Sequence, residues 1–182
     1  MLLPEKQAVL KDGTACLLRI PRPEDAALFL EYLKTTAEQT PYLLRYPEEV
    51  TLTVEEERAY LEQICAQPQS ASLSAWVDGR LAGNASCSPI GTRLKVLHRA
   101  VFGIAIKKDY WGLGLGRLLT QEIISAARSI GYEQLELEVA ANNTRAIRLY
   151  ESCGFARYGT RPNAFRYKDG SYADEHLMAI NL

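Results

Sequence analysis

Residues 103–117 read Gly-Ile-Ala-Ile-Lys-Lys-Asp-Tyr-Trp-Gly-Leu-Gly-Leu-Gly-Arg, with glycines at 112, 114 and 116 between an apolar run and a helical pattern. Glycine has no Cβ, so the chain can take positive φ there and a bulky anion can approach the main chain. The first N–H groups of a helix are unpaired and carry partial positive charge. This glycine turn, residues 112–117, therefore predicts a seat for a diphosphate.

The segments on either side of the glycine turn form a βαβ pattern. Residues 98–106 predict a strand, residues 114–130 a helix that stops at Gly131, and residues 135–139 a second strand. Two strands joined by one helix are expected to be parallel, with a right-handed crossover. Ligands of such units bind at the carboxyl ends of the strands, where the glycine turn also lies.

The rest of the chain predicts further elements of an α/β domain. Asp12-Gly13 and Asp78-Gly79 each predict a hairpin, and Thr53 begins a capping-box helix through Ile64. A helix after Pro21 is expected to bury Ala26, Ala27, Leu30 and Leu33. Asn142 or Asn143 caps a helix that runs to Cys153 and is followed by strands at 155–160 and 172–180. Residues 1–182 are expected to form a single domain.

Composition excludes several classes of function. The chain has 182 residues, 47% of them hydrophobic, and a formal net charge of −1. Without a basic cluster, a nucleic-acid or membrane partner is not expected. The four scattered cysteines and two histidines predict no metal site. The N-terminal stretch Met1–Gln7 predicts no signal peptide and no run reaches the length of a membrane span, so a cytoplasmic protein is expected.

Counting residues removes two nucleotide-binding interpretations of the glycine turn. A nucleotide-hydrolase phosphate loop needs four residues between its glycines and a following Gly-Lys-Ser/Thr, which this chain lacks. A Rossmann fingerprint needs its third glycine at position 117, where Arg117 stands. A purely structural tight turn stays open at this point.

Two segments resemble the GNAT superfamily of N-acetyltransferases. The family motif Gln/Arg-x-x-Gly-x-Gly/Ala is matched from Trp111 to Gly116, with Trp111 in place of Gln or Arg. The segment Asn143-Thr-Arg-Ala-Ile-Arg-Leu-Tyr-Glu-Ser-Cys-Gly-Phe155 resembles the family's Asn-x-x-Ala-x-x-Leu-Tyr-x-x-x-Gly-Phe. The resemblance implies a three-layer α/β fold, in which a twisted mixed sheet with a central βαβ unit carries helices on both faces.

The resemblance also implies a reaction, in which an acetyl group passes from acetyl-CoA to a primary amine by direct attack on the thioester. Tyr150, at the family's Leu-Tyr position, would be the general acid, although a packed aromatic is the alternative. The residues implied to bind the co-substrate are Ile104, Ala105 and Ile106 for the pantetheine, Gly112, Leu113, Gly114, Leu115, Gly116 and Arg117 for the pyrophosphate, and Asn143. A homodimer is a family-level expectation.

The general base is left open by the sequence. Residues 98–106 contain no glutamate, whereas Glu136 and Glu138 project to one face of the next strand. They could take a proton through water or simply pair with arginines. His98 is another candidate base, a covalent route through Cys153 is a further alternative, and a dedicated base could be absent altogether.

The acceptor and two other functions are also left open. Acceptors from small-molecule amines to protein N-termini remain, because the loops at 35–50 and 157–175 would shape the pocket. The competing functions are a non-catalytic acyl-CoA-binding module and a nucleotide-binding oxidoreductase.

Overall fold

The computed structural model describes residues 3–182, in which one mixed sheet is flanked by helices. Met1 and Leu2, part of the stretch examined for a signal peptide, lie outside the described residues. The strands are β1 Lys6–Val9, β2 Ala15–Arg19, β3 Ala71–Val77, β4 Arg80–Pro89, β5 Arg99–Ile106, β6 Gln134–Ala140, β7 Ala156–Arg166 and β8 Tyr172–Asn181. The helices are α1 Ala26–Gln39, α2 Val54–Ala66, α3 Leu115–Ile130 and α4 Thr144–Ser152. Within residues 3–182, no helix is both long enough and apolar enough to span a membrane.

The strand order is β1-β2-β3-β4-β5-β6-β8-β7, and β5 pairs with β6 in parallel while the other neighbours are antiparallel. Because β5, α3 and β6 follow one another in the chain, they form the predicted βαβ unit. The predicted α/β class with a mixed sheet is thus confirmed.

Local signals place the helix ends where the sequence predicts them. Thr53 accepts a hydrogen bond from the Glu56 amide and completes a capping box before α2. Left-handed Gly131 ends α3, and the Asn143 side chain caps α4. These elements depend on neighbouring residues, which explains why their bounds follow from the sequence.

The buried face of α1 differs from the prediction. Ala26 is buried as expected, but Ala27 is exposed. Phe29 and Tyr32 provide the large buried side chains instead, and Leu30 and Leu33 are only half-buried. The face of α1 that carries Phe29 and Tyr32 points inward because aromatic side chains bury more apolar area than alanine. The buried Arg19–Asp25 ion pair fixes the start of the helix.

Helices cover both faces of the sheet, as predicted. On one face, α3 contributes Leu115, Leu119 and Ile123 to a core that includes Phe102 and Leu137. On the other, α1 and α2 pack on β3 and β4, where Phe29, Tyr32, Leu61 and Trp76 form a smaller core. Ile104 and Ile106 pack on the first side and Ala105 on the second, so β5 separates two chemical environments.

The parallel pair β5–β6 separates before either strand ends. Its register runs from Arg99–Gln134 to Val101–Glu136 and stops, whereas β5 continues beside β4 as far as the Gly83–Ile106 pair. The two strands therefore leave a gap between residues 102–106 and residues 137–140. This gap opens at the carboxyl ends of the strands, where the glycine turn begins.

Candidate active site

The main chain of β5 offers hydrogen-bonding groups to the gap. The Tyr32 hydroxyl donates to the Ala105 carbonyl at 2.7 Å and accepts from the Asn84 amide at 3.1 Å, so the Ala105 backbone faces β4. Successive residues of a strand point their N–H and C=O groups to opposite sides. Ile104 and Ile106 therefore turn their backbone groups toward the gap. The Ile106 carbonyl accepts from Trp111 Nε1 at 2.7 Å, which ties the glycine turn to the end of β5.

Glycine is required at the three positions of the turn for different structural reasons. Gly112 and Gly114 have φ of +82° and +88°, and a Cβ on Gly112 would meet nothing within 4 Å, so conformation demands the glycine there. Gly116 lies inside α3, where a Cβ would come within 2.9 Å of Leu149 Cδ2. Packing of α4 on α3 thus accounts for the third glycine. Leu115 is fully buried, so its side chain is not available to a ligand.

Cationic side chains surround the glycine turn. The Lys11 amide donates to the Leu113 carbonyl at 3.0 Å, and the Lys11 side chain runs past Gly114. The Arg145 guanidinium lies 4.4 Å from the centre of the Trp111 ring. Arg117 Nη1 donates to Ser152 Oγ at 3.3 Å. Such charges complement a diphosphate held on helix amides.

Sequence reasoning missed Lys11 and Arg145 at this position. Arg145 stands two residues after Asn143, in the segment that carries the family resemblance, and could have been singled out there. Lys11 comes from the β1–β2 hairpin, far from the glycine turn in sequence. The main-chain bond to Leu113 and the Lys11 side chain beside Gly114 bring the two together in the folded protein.

Tyr150 lies in an aromatic wall beside the gap. Its ring packs edge-on against Phe102 of β5 and Phe155, with centroid distances of 6.1 Å and 6.0 Å. Burial raises the pKa of the Tyr150 phenol to about 12, so it is protonated at neutral pH. Asn143 Oδ1 accepts from the Ala146 amide at 3.2 Å. The cap leaves Asn143 Nδ2 as the side-chain atom available to a ligand.

The candidate bases on β6 are paired with arginines. Arg99 holds Glu136 through two hydrogen bonds, one of them 2.8 Å from Nη2 to Oε2. Arg161 Nη2 donates to Glu138 at 3.0 Å, and its Nη1 donates to Glu175. Burial and the nearby Glu138 charge raise the pKa of the Glu175 carboxyl. Glu138 remains half exposed, with 51% of its side chain accessible, so its carboxylate can still meet solvent or substrate.

The other two candidates lie apart from this arrangement. His98 precedes β5, at the end of the strand opposite the glycine turn, and its carbonyl accepts from the Glu133 amide at 2.9 Å. Cys153 is a free, half-buried cysteine after α4 that packs against the larger core. This packing explains why a small apolar side chain occupies position 153.

A pocket of about 450 Å³ lies between the end of α1, with the loop that follows it, and the end of β7. Its lining residues come from the end of α1, the following loop and β7: Ala37, Glu38, Gln39, Thr40, Pro41, Leu43, Leu44, Arg45, Tyr46, Ala164, Phe165, Arg166 and Tyr167. Gln39 accepts from the Lys108 amide at 2.7 Å, which fixes one wall to the end of β5. The Ala141 amide donates to the Asp174 carbonyl at 2.8 Å, which fixes the β7–β8 hairpin to the end of β6. One wall of this cavity, which we call the side pocket, is thus tied to the end of β5, and the hairpin that forms the other wall is tied to the end of β6.

The two walls of the side pocket are joined by a strap formed by Tyr46, Glu48 and Lys168. The Lys168 amide donates to the Tyr46 hydroxyl at 3.2 Å, and the Lys168 ammonium lies 4.2 Å from the centre of the Tyr46 ring. Lys168 Nζ also donates to Glu48. The loops at 35–50 and 157–175, which were expected to shape the acceptor pocket, meet through these contacts.

Comparison with known proteins identifies this architecture. The model of the acetyltransferase (GNAT) family matches residues 34–155. The chain belongs to the GNAT family. It is 36% identical over 108 residues, 59% of this chain and 72% of the relative, to the ribosomal protein bS18-alanine N-acetyltransferase of Escherichia coli K12.

Solved structures show the same fold. A GNAT acetyltransferase from Streptococcus pneumoniae superposes with a TM-score of 0.87 at 28% identity, covering 92% of this chain and 99% of the other. A Salmonella typhimurium protein solved with its cofactor acetyl-CoA gives a TM-score of 0.80 at 22% identity, with coverages of 92% and 94%. The GNAT chain is an N-acetyltransferase, and acetyl-CoA is its acetyl donor. This membership does not support the oxidoreductase alternative.

Proposed function

We propose that this GNAT enzyme acetylates a primary amine by direct attack of the amine on the thioester of acetyl-CoA, with Tyr150 as general acid. The observation that carries the proposal is the gap between β5 and β6. One wall presents the backbone groups of Ile104 and Ile106, and Tyr150 stands in the aromatic wall beside them. A donor, an acid and hydrogen-bond donors can thus converge on one carbonyl.

The diphosphate of acetyl-CoA would lie on the amides of residues 112–117. Positive φ at Gly112 and Gly114 turns the main chain toward the ligand, and Lys11 and Arg145 supply charge beside it. The pantetheine arm would follow β5 through the gap. Of the three residues expected to pair with it, Ile104 and Ile106 are favoured, because the Ala105 backbone faces β4 and not the gap.

In the reaction, the amine nitrogen bonds to the thioester carbon and the carbonyl oxygen becomes an oxyanion. A backbone N–H of Ile104 or Ile106 would stabilise that charge. The C–S bond then breaks, the leaving thiolate takes the phenolic proton of Tyr150, and the nitrogen loses a proton. A phenol is protonated at neutral pH and burial raises the pKa of Tyr150 further, so the acid carries its proton before the thiolate forms.

Glu138 is the base we favour for the nitrogen proton, acting through water. Glu136 is held by two hydrogen bonds to Arg99, whereas Glu138 has a single bond to Arg161 and a half-exposed carboxylate. Both project from the same face of β6. Replacing Glu138→Gln should lower kcat most at low pH, where little free amine exists, and an unchanged pH profile would leave solvent as the proton acceptor.

The relatives support the amine as the acceptor without fixing its identity. The Escherichia coli relative is named for an alanine of a ribosomal protein, so a protein N-terminus is one candidate. The four cysteines are free, which supports a reducing compartment such as the cytoplasm for the reaction.

The test is Tyr150→Phe, compared with Tyr132→Phe. Both tyrosines are buried, but Tyr132 donates its hydroxyl proton to the Gln69 carbonyl, far from the gap. Loss of a general acid should lower kcat about 100-fold or more and leave the KM for acetyl-CoA unchanged. The Tyr132→Phe enzyme should have the kcat of the wild-type enzyme. A Tyr150→Phe enzyme with wild-type kcat would refute this role.

A further inference from the structure

The side pocket is lined by two arginines that form no ion pair with a carboxylate of the described residues. They are Arg45 and Arg166. Glu38 is the acidic residue of the lining, so the pocket carries one negative and two positive side chains.

Arg45 of the side pocket lies near Tyr32, the residue whose hydroxyl bonds to Ala105 of β5. Its positive charge acts on the Tyr32 hydroxyl, which bonds to Ala105, and on the Glu57 carboxyl. Glu57 is buried, and neither of its carboxylate oxygens has a hydrogen-bond partner among the described residues. The Arg45 guanidinium is therefore not held by a hydrogen bond to this acid. Arg45 is exposed and lines the side pocket, so its donors are accessible to a ligand there.

We propose that the acceptor is a small amine that carries a carboxylate, of the size and charge of a free amino acid, with that carboxylate bound by Arg45 and Arg166. This inference rests on the proposed function and names its substrate class. A guanidinium is a planar fork that binds a carboxylate through two parallel hydrogen bonds, and it is more weakly hydrated than an ammonium. Phe165 and Tyr167 offer an apolar wall for the side chain of the acceptor.

The dimensions of the side pocket favour a small molecule over a polypeptide. Its volume of about 450 Å³ is within the usual range for small-molecule sites. The strap joins the two walls, because Tyr46 lines the pocket and Lys168 directly follows the lining residue Tyr167. A polypeptide N-terminus would have to displace these contacts to enter from that side, whereas a free amino acid would not.

The test measures release of the CoA thiol with matched amines. The panel contains the common α-amino acids, their α-carboxamides, and a short peptide with a free N-terminal alanine. We expect at least one amino acid to be acetylated with a kcat/KM about 10-fold or more above that of its carboxamide, because the carboxamide keeps the amine and loses the charge.

Variants then assign this preference to the two arginines. Arg45→Gln and Arg166→Gln should each raise the KM for the preferred amino acid about 10-fold and remove its advantage over the carboxamide. The KM for acetyl-CoA should not change. Arg93→Gln is the matched control, since Arg93 is an exposed arginine outside the side pocket, and it should leave both constants as they are.

Three results would overturn the inference while leaving acetyl transfer intact: carboxamides used as well as amino acids, the peptide preferred, or unchanged KM in both variants. If no amine is acetylated, the proposed function is wrong, but the carboxylate site can still be tested. Calorimetry then measures whether N-acetyl amino acids bind to the protein in the presence of CoA. Binding that both variants weaken supports a carboxylate site. Absence of binding to the wild-type protein refutes it.

Discussion

The glycine turn and the side pocket lie at the same end of the sheet, yet they are built in opposite ways. The turn uses consecutive residues, and positive φ at Gly112 and Gly114 is a local requirement of the chain. The side pocket joins Ala37 to Tyr167, and Lys168 reaches Tyr46 across the fold. The proposed binding site of the donor is therefore encoded by one short segment, whereas the proposed binding site of the acceptor forms only when distant segments meet in the folded protein.

The largest effect is expected for Gly114→Ala, which tests whether the conformation of the glycine turn determines the affinity for acetyl-CoA. Alanine at φ +88° is strained by about 1 kcal/mol and displaces the amides that face the ligand. We expect the KM for acetyl-CoA to rise about 10-fold or more. Gly131→Ala is the control, because Gly131 has φ +101° at the other end of the same helix. An equal rise in KM in the control would mean that helix stability, and not the turn, sets the affinity.

The next largest effect is expected for Tyr32→Phe, which tests whether the Tyr32 hydroxyl positions β5 between the glycine turn and the side pocket. The Tyr32 hydroxyl bridges Asn84 and Ala105 beside the gap, so its loss leaves two main-chain groups without their partner. Stability should fall by about 1 kcal/mol, and kcat should fall several-fold as β5 shifts. Tyr132→Phe removes a similar 2.7 Å bond elsewhere and should lower stability alone. Equal kcat values in the two variants would contradict a role for Tyr32 in positioning β5.

Glu57→Met should reveal a smaller effect, on stability alone. Burial raises the pKa of the Glu57 carboxyl, so the folded protein holds its proton more tightly than the unfolded chain and loses stability as pH rises above the ordinary glutamate value. Methionine removes this cost together with the attraction of Arg45, so the variant should gain about 1 kcal/mol or less at neutral pH and little near pH ~4. Urea unfolding across this range measures the gain. Glu62→Met, at an exposed position of the same helix, should show no such trend.

The smallest effect is expected from opening the strap. Lys168→Met removes an exposed ion pair with Glu48, so the KM for the acceptor should rise a few-fold while the KM for acetyl-CoA stays constant. Salt should produce the same rise in the wild-type enzyme, because exposed charges are screened. Arg22→Met breaks a comparably exposed pair with Glu5 and serves as the control. If it raises the acceptor KM equally, the strap has no special role.

The same contrast explains how far the sequence predicts this molecule. Thr53, Gly131 and Asn143 mark helix ends through bonds to near neighbours, and the structure confirms the elements they bound. The exposure of Ala27 was not predicted, because which face of α1 turns inward depends on what Phe29 and Tyr32 meet in the core.

For the candidate site, the sequence singles out the glycine turn and Tyr150 but neither Lys11 nor the bridge made by Tyr32. Both of these features depend on long-range contacts, from Lys11 to Leu113 and from Tyr32 to Ala105, whereas the missed Arg145 stands within the recognised segment. The two loops of the side pocket can be recognised separately in the sequence. Their meeting through Lys168 and Tyr46 depends on the folded sheet, which no local pattern encodes.

The Tyr32 bridge also makes one amide proton a reporter of helix docking. The Asn84 N–H lies in the sheet, yet it donates to a hydroxyl that belongs to α1. Its exchange with deuterated solvent should therefore follow the detachment of α1, and it should exchange sooner than the amides of β4 that bond only to strands. Hydrogen exchange at this single position would time the opening of α1 without any ligand present.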